Sequence, residues 1–293
     1  DYYPSPLKAA LLSEKFGDET FNHYTYILAG DGCLMEGLSH EACSLAGHLN
    51  LSKLIVFFDD NSISIDGSTE LSVSEDVIAR YKSYGWNTLK IDGHNYFEID
   101  NAISVAKKNT APTLIACKTK IGFGSPNKES KSSSHGSPLG SDEILLTRKN
   151  LNWPYKNFEI PEKLVKDWRS FANRNKEIKK NWEDNNKDKI NSADFKSYFS
   201  NDLSENLNIK ITDFKKKHFE EKTNCASRKA SELALEIFTE DIKNLIGGSA
   251  DLTGSNNTKT KNMSPISKNK YNGSYIYYGV REHGMAAIMN GLA

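Results

Sequence analysis

Tyr24-Thr25-Tyr26-Ile27-Leu28-Ala29-Gly30-Asp31-Gly32 and Leu54-Ile55-Val56-Phe57-Phe58-Asp59-Asp60-Asn61-Ser62-Ile63 decide the fold. Each begins as a short run of apolar, β-branched and aromatic residues, the composition of a buried strand. Each then breaks into small and acidic residues. Two parallel strands so built deliver Asp31 and Asn61 side by side at their carboxyl ends, the edge at which open α/β sheets bind ligands. A carboxylate, an amide oxygen and the nearby carbonyl of Ile63 form a hard oxygen site for Mg²⁺, which such sites hold through a phosphate. The glycines beside Asp31 let the backbone approach that phosphate.

Working outward, strands are expected at 24–28, 54–58, 86–91 and 113–117, with helical patterns between them. Residues 36–49 place Leu38, Ala42, Leu45, Ala46 and Leu49 on one face. A helix over 75–83 follows a Ser/Asp capping start at Ser74 or close to it. Residues 96–108 carry Phe97, Ile99, Ala102, Ile103 and Ala106 at helical spacing. Alternating strands and helices with near-continuous apolar strands give an α/β class: a parallel sheet with helices on both faces.

The 293 residues are enough for two domains. Lys+Arg and Asp+Glu are equal at 38 each, so no net field argues for nucleic acid or an anionic membrane. No apolar run approaches the ~20 residues of a membrane helix, and no signal-peptide pattern is present. Cys33, Cys43, Cys117 and Cys225 form no CxxC pair. They read as reduced, buried thiols of a cytoplasmic protein, without a disulfide framework or a zinc site.

Residues 119–142 form a long Gly/Ser/Pro/Lys loop holding His135, of a length that is usually functional or disordered. Residues 161–220 are polar and helix-prone. Trp168, Phe171, Ile178 and Trp182 are expected to anchor this stretch on the sheet, and its Asn/Lys-rich remainder reads as a solvated connector. A second α/β pattern opens at Ser227. It has a helix over 227–239 (core positions Leu233, Leu235, Ile237 and Phe238), strands at 244–248 and 275–278, and a last helix over 281–293. That helix stops inside the apolar run Met285-Ala286-Ala287-Ile288-Met289, and a helix over 4–16 opens the chain as if detached from earlier strands. The chain is therefore expected to be an internal piece of a longer protein.

A Gly-Asp-Gly followed about 30 residues later by an Asn resembles the thiamine-diphosphate enzymes. The surrounding words narrow the resemblance to the transketolase family. They are Gly30-Asp31-Gly32-Cys33-Leu34-Met35-Glu36-Gly37, Ser44-Leu45-Ala46-Gly47-His48-Leu49 and Asp59-Asp60-Asn61-Ser62-Ile63-Ser64-Ile65-Asp66-Gly67 in the first part of the chain. Ile121-Gly122-Phe123-Gly124-Ser125-Pro126 and Ser134-His135-Gly136-Ser137-Pro138-Leu139 follow, then Gly247-Gly248-Ser249-Ala250-Asp251-Leu252 and Tyr278-Gly279-Val280-Arg281-Glu282-His283. The resemblance implies a diphosphate-binding (PP) domain over 1–190 that lacks its start, a polar connector over 191–224, and a truncated pyrimidine-binding (Pyr) domain over 225–293.

It also implies roles. Asp31, Asn61 and the Ile63 carbonyl would hold Mg²⁺ or Ca²⁺ against the diphosphate, with Gly32 touching the cofactor. Taken alone, such an Asp caps the next helix and such an Asn closes a turn. Glu282 would be catalytic: a carboxyl group beside N1′ of the aminopyrimidine promotes loss of the cofactor's C2 proton. Such a group is expected in an apolar pocket, which favours its protonated form. Outside the family, a Glu there simply opens a helix, where the dipole favours it. His135 matches a histidine that contacts diphosphate and sugar and serves catalysis. Arg228 and Ser255 match the grip on the sugar phosphate, a guanidinium fork suiting phosphate; a capping or ion-pair role competes for Arg228. The family often has proline where Gly254 stands, which affects the placement of Ser255. Asp251 would organise the cofactor or the dimer contact, and Glu36 and Glu41 resemble interface glutamates. His23, His40, His48, His94 and His218 read as structural or exposed. The family's early histidines and the aromatic residue that stacks on the aminopyrimidine fall outside the chain.

The activity implied is transfer of a two-carbon ketol unit from a ketose phosphate such as xylulose 5-phosphate to an aldose phosphate such as ribose 5-phosphate or erythrose 4-phosphate, a step of the pentose phosphate pathway. Thiamine diphosphate and Mg²⁺ or Ca²⁺ are the implied cofactors. Sugar phosphates and a second copy of the chain are the implied partners, in a homodimer with sites between subunits. A relative such as dihydroxyacetone synthase, or a catalytically incomplete fragment, stands as the alternative.

Overall fold

The computed structural model describes residues 5–200 and 202–293. They divide into two compact units, Tyr24–Asn185 and the described residues up to His23 joined with Asn186–Ala293. Helix α1 (Pro6–Phe16) opens the second of these and is treated with it.

The unit 24–185 is a parallel sheet flanked by helices. It runs β1 (Thr25–Gly30), α2 (Asp31–Met35), α3 (Gly37–Leu49), β2 (Leu54–Asp60), α4 (Val77–Ser83), β3 (Asn87–Asp92), α5 (Tyr96–Ala106) and β4 (Thr113–Lys118). The strands lie in the order β1-β2-β4-β3, all parallel. Register pairs Gly30 with Asp59, Asp60 with Lys118 and Asp92 with Lys118, so all four carboxyl ends finish level.

Side chains alternate across the sheet. On one face Ile55, Ile115 and Cys117 pack with Ala102 and Ala106 of α5, edged by Tyr24, Phe57, Leu89 and Ile91. The other face buries Val56, Phe58, Leu114 and Ala116. There α3 meets the α4–β3 turn so closely that a Cβ on Gly47 would stand 2.0 Å from the Tyr84 carbonyl oxygen. Trp86 Nε1 donates to the Cys43 carbonyl at 2.9 Å, and its ring meets the buried Tyr81 edge-on at 5.0 Å.

Several expectations shift. α4 begins at Val77, capped by Asp76, whose carboxylate accepts from the Ala79 N–H at 3.0 Å; Ser74 lies before it. Phe97 is 88 % exposed, and α5 fully buries only Ala102 and Ala106. Cys117 is buried and Cys43 half-buried, but Cys33 and Cys225 are exposed; all four are free thiols.

After α6 (Ser141–Asn150) comes α7 (Glu162–Ile190), which is not anchored on the sheet as expected. Trp168, Phe171 and Ile178 are more than half exposed and Trp182 is 37 % exposed. Along its exposed stretch the helix carries the i,i+4 ion pairs Lys163–Asp167, Lys166–Glu162 and Lys179–Glu183, and solvent-exposed pairs of this kind add little to stability.

In the second unit, α1 begins at Pro6 under a Ser5 cap; the expected Pro4 lies outside the described residues. It is followed in the chain by the end of α7, α8 (Ala193–Phe199), α9 (Glu205–Glu220), α10 (Ser227–Asp241), β5 (Gly247–Ser249), α11 (Thr253–Asn256), β6 (Tyr275–Tyr277) and α12 (Glu282–Leu292). β5 and β6 pair in parallel and are shorter than the strands expected there. The expected core positions of α10 are only half-buried. Phe16 sits among Phe21, Phe195, Tyr198 and Phe199, with ring centroids 4.9–6.2 Å from its own. Thr20 Oγ1 donates to Asn186 Oδ1 at 2.8 Å, and Lys189 Nζ donates to the Phe16 carbonyl at 2.6 Å. No helix of the described residues is long and apolar enough to cross a membrane.

Candidate active site

The level strand ends of the unit 24–185 open into a cleft of about 1240 Å³. Asp31, Gly32, Asn61, Ile63, His94, Thr119, Lys120 and His135 all contribute to its lining, with Leu28, Phe57 and Ile65 as apolar wall.

Asp31 opens α2 directly after β1. Its carboxylate accepts from the backbone N–H groups of Ser62 and Asn61, while Oδ2 is buried without a partner among the described residues. Its pKa is raised, first by burial and then by the neighbouring Asp60 carboxylate; the two backbone N–H groups oppose this and Asp59 adds to it. A buried, partnerless carboxylate oxygen costs free energy unless something meets it.

The loop after β2 is tightly held. Asn61 Oδ1 accepts from the Ile63 N–H at 2.9 Å and Asn61 Nδ2 donates to Asp59 Oδ2 at 3.3 Å, which fixes the amide's orientation. Ser62 takes a left-handed conformation at φ 60°. Lys118 Nζ ties the loop to β4 through Ser62 Oγ at 2.7 Å and Asp60 Oδ1 at 3.3 Å, and Thr119 Oγ1 donates to Asp59.

These residues fit a divalent cation carried by a diphosphate. The orphan Asp31 oxygen supplies charge, and the Asn61 amide oxygen keeps a second lone pair. A Cβ on Gly30 or Gly32 would meet nothing within 4 Å, which leaves open room beside Asp31. Among the described residues no three His, Cys, Asp or Glu side chains converge as a ligand set. A cation here would rely on one carboxylate and neutral oxygens, the hard-ligand chemistry of Mg²⁺ or Ca²⁺.

His135 is exposed and follows a short 3₁₀ turn, Ser132–Ser134. Its loop is rooted by Glu143 of α6, a residue the sequence reading missed. The Glu143 carboxylate accepts from Ser125 Oγ, from the Asn127 backbone N–H at 2.8 Å and from Asn127 Nδ2 at 2.9 Å. These bonds, the one from Ser125 first, hold its pKa down at about 2. His94, set aside from sequence as structural or exposed, stands on the cleft wall. The signal was available: His94 follows β3, and Thr119 follows β4, as Asp31 follows β1.

The remaining candidates lie in the other unit. Asp251 follows β5 in a left-handed conformation at φ 62° and is exposed. Arg228 is the second residue of α10 and Ser255 lies in α11, both exposed. Glu282 is the first residue of α12, preceded by Arg281, whose Nη1 donates to the Tyr278 carbonyl at 2.7 Å. Burial pushes the Tyr278 hydroxyl up to about 12. Glu282 itself is exposed; the apolar surround expected for it is not formed by the described residues.

Known proteins resemble the chain over nearly its whole length. The family described as "Transketolase, thiamine diphosphate binding domain" matches residues 7–231, and "Transketolase, pyrimidine binding domain" matches 223–293. The chain is 44 % identical to a transketolase of Cereibacter sphaeroides over 287 residues, 98 % of this chain and 44 % of that protein. It is 46 % identical to one of Buchnera aphidicola over 282 residues, 93 % of this chain and 42 % of that protein. Among solved structures, transketolase from Leishmania mexicana superposes with a TM-score of 0.86 at 35 % identity, covering 98 % of this chain and 44 % of that one. Transketolase from Pichia stipitis in complex with sedoheptulose 7-phosphate gives 0.84 at 37 %, covering 98 % and 45 %. The chain thus spans less than half the length of the relatives it matches.

Proposed function

Because the chain belongs to the transketolase family, we propose that the protein containing it moves a two-carbon ketol unit between sugar phosphates in the cytoplasm, within the pentose phosphate pathway. The observation that carries this reading is the partnerless Asp31 oxygen in a cleft framed by four parallel strand ends.

Thiamine diphosphate, when bound, supplies the electron sink for breaking the bond beside the ketose carbonyl. The chain's own residues do the rest. Asp31, Asn61 and the Ile63 carbonyl hold Mg²⁺ or Ca²⁺ against the diphosphate, and Gly32 leaves the backbone bare for it. His135 lines the cleft, where it would donate to the diphosphate and the sugar and stabilise charge on the sugar. Glu282 would be the carboxyl group beside N1′ of a bound aminopyrimidine, placed to hold or give up a proton there. Arg228 and Ser255 take the sugar phosphate, and Asp251 orders the cofactor or the contact between subunits. Residues 1–190 serve as the diphosphate-binding domain, 191–224 as a connector and 225–293 as the pyrimidine-binding domain. The exposure of Glu282 favours a homodimer in which Glu282 acts on cofactor held by the partner copy, inside an apolar surround supplied by the rest of the assembly. By the same reasoning, the 293-residue chain alone is inactive; turnover from that purified chain would contradict it.

The test is a coupled assay of the full-length protein with xylulose 5-phosphate and ribose 5-phosphate. Formation of sedoheptulose 7-phosphate, dependent on thiamine diphosphate and a divalent cation, is expected. No product under saturating cofactor would remove the proposal.

A further inference from the structure

His94 stands two residues past the carboxyl end of β3, as Asp31 stands one past that of β1, and both line the cleft. Its ring is fixed from two sides. The Lys120 backbone N–H donates to His94 Nε2 at 3.1 Å, and the Phe123 ring stacks on the imidazole at 3.9 Å between centroids and 19° between planes. The turn itself is pressed against β4. The Gly93 N–H donates to the Lys118 carbonyl at 2.9 Å, and a Cβ on Gly93 would stand 2.5 Å from Thr119 Cγ2. The His94 N–H closes the turn onto Asp92 Oδ1 at 2.9 Å.

A backbone N–H can only donate, so Nε2 is an acceptor and the ring proton of the neutral imidazole sits on Nδ1. The segment it holds is part of the cleft: Lys120, Ile121 and Gly122 line it together with Asp31, Asn61 and His135.

We infer that His94 is a positioning residue: as a neutral imidazole it clamps residues 119–123 into the conformation that walls the cleft around a bound diphosphate, and protonation releases the clamp. The inference rests on the functional reading above for the identity of the ligand. An imidazolium would turn an N–H toward the Lys120 N–H, donor against donor, and leave that amide without its acceptor. The charged groups around the ring are Asp92 on its own turn, Glu98 of α5 (bonded to the Asp92 N–H at 2.8 Å), Lys120, and Glu129, which bridges Lys120 Nζ at 2.8 Å and the Gly124 N–H at 3.0 Å.

Two substitutions separate the contacts in the full-length protein. His94→Phe keeps a ring for Phe123 but has no acceptor; His94→Gln offers an amide oxygen to Lys120 and does not titrate. Binding of thiamine diphosphate with Mg²⁺ is measured by calorimetry at pH 7.5 and 5.5, and backbone exchange at 120–123 by mass spectrometry without cofactor. At pH 7.5, H94F is expected to bind about tenfold more weakly than the unsubstituted protein, the scale of one lost hydrogen bond, and H94Q equally well. At pH 5.5, H94Q is expected to bind about tenfold more tightly than the unsubstituted protein, and H94F no more weakly than it. Exchange at 120–123 should quicken in H94F at pH 7.5 and not in H94Q. Equal affinity of H94F and the unsubstituted protein at pH 7.5, or one shared pH profile for all three proteins, overturns the inference and leaves the functional reading intact. Absence of binding by the unsubstituted protein overturns the functional reading, and unchanged exchange in H94F then overturns the clamp as well.

Discussion

In residues 24–185, four strand ends converge on one cleft. In the other unit, Arg228, Ser255 and Glu282 stand exposed on three separate helices. The first arrangement follows from the sheet alone, since parallel strands in register must finish at one edge and hand their next residues to the same space. The second does not, because a helix start fixes a residue's backbone but not what lies above it. The oxygen-lined cleft is therefore something this stretch of chain builds by itself, while Glu282 stands open among the described residues.

The contrast predicts different kinds of damage. Glu282→Ala in the full-length enzyme should lower kcat by about 10²–10⁴-fold, the usual worth of a proton-transfer group, with cofactor affinity changed less than about threefold. Steady-state kinetics set beside calorimetry would show it, and equal losses in both would erase the distinction between the units. Asp31→Asn should act the other way round, weakening metal-dependent cofactor binding by at least about 100-fold, of the order lost when a metal site is disturbed. The same substitution should raise the melting temperature of the cofactor-free protein, because burial and Asp60 penalise the charged carboxylate. A melting temperature that falls would show that Asp31 braces the loop rather than awaiting a cation.

A smaller effect is expected at the root of the His135 loop. The Glu143 pKa is depressed to about 2, so its contribution is complete above the ordinary carboxylate pKa near 4.3 and is lost as the pH falls from there towards about 2. Limited proteolysis at 125–140 should stay slow at pH 5 and quicken below pH 4. Glu143→Gln should be cut readily even at pH 7, since an amide NH₂ would face the donors of Ser125 and Asn127. The smallest change belongs to Trp168→Ser: with the side chain in solvent, stability should move by no more than about 0.5 kcal/mol. A loss of several kcal/mol by chemical denaturation would restore the anchoring role that the exposed ring argues against.

How much was readable from the residues follows the same division. The four strands, α3 and the parallel sheet announced themselves because a strand buried on both faces has no choice but a run of apolar residues. Asp31, Asn61 and Ile63 were found with them, as the first residues past those runs. His94 and Thr119 obey the same rule on β3 and β4, but a lone His or Thr is chemically ordinary until the strand order shows that all four ends share a cleft. Glu143 was hidden for a different reason: its partners Ser125 and Asn127 come from a loop whose path no periodicity encodes. Trp168, Phe171 and Ile178 misled because apolar spacing says that a face exists and not how much of it is covered. Cys33 misled likewise, since small neighbours accompany both burial and close approach to a ligand.

The aromatic nest around Phe16 sets an order of events during synthesis. Lys189 reaches the Phe16 carbonyl across 173 residues of sequence, and Phe195, Tyr198 and Phe199 emerge later still. At 5–20 residues per second the ribosome takes roughly 9–35 s to cover that distance. Meanwhile Phe16 waits without those three rings, and the whole sheet unit is translated in between. The nascent chain thus holds this ring without its later neighbours for roughly 9–35 s, a span in which a holding chaperone or a slow codon would bear on how much of it reaches the finished fold.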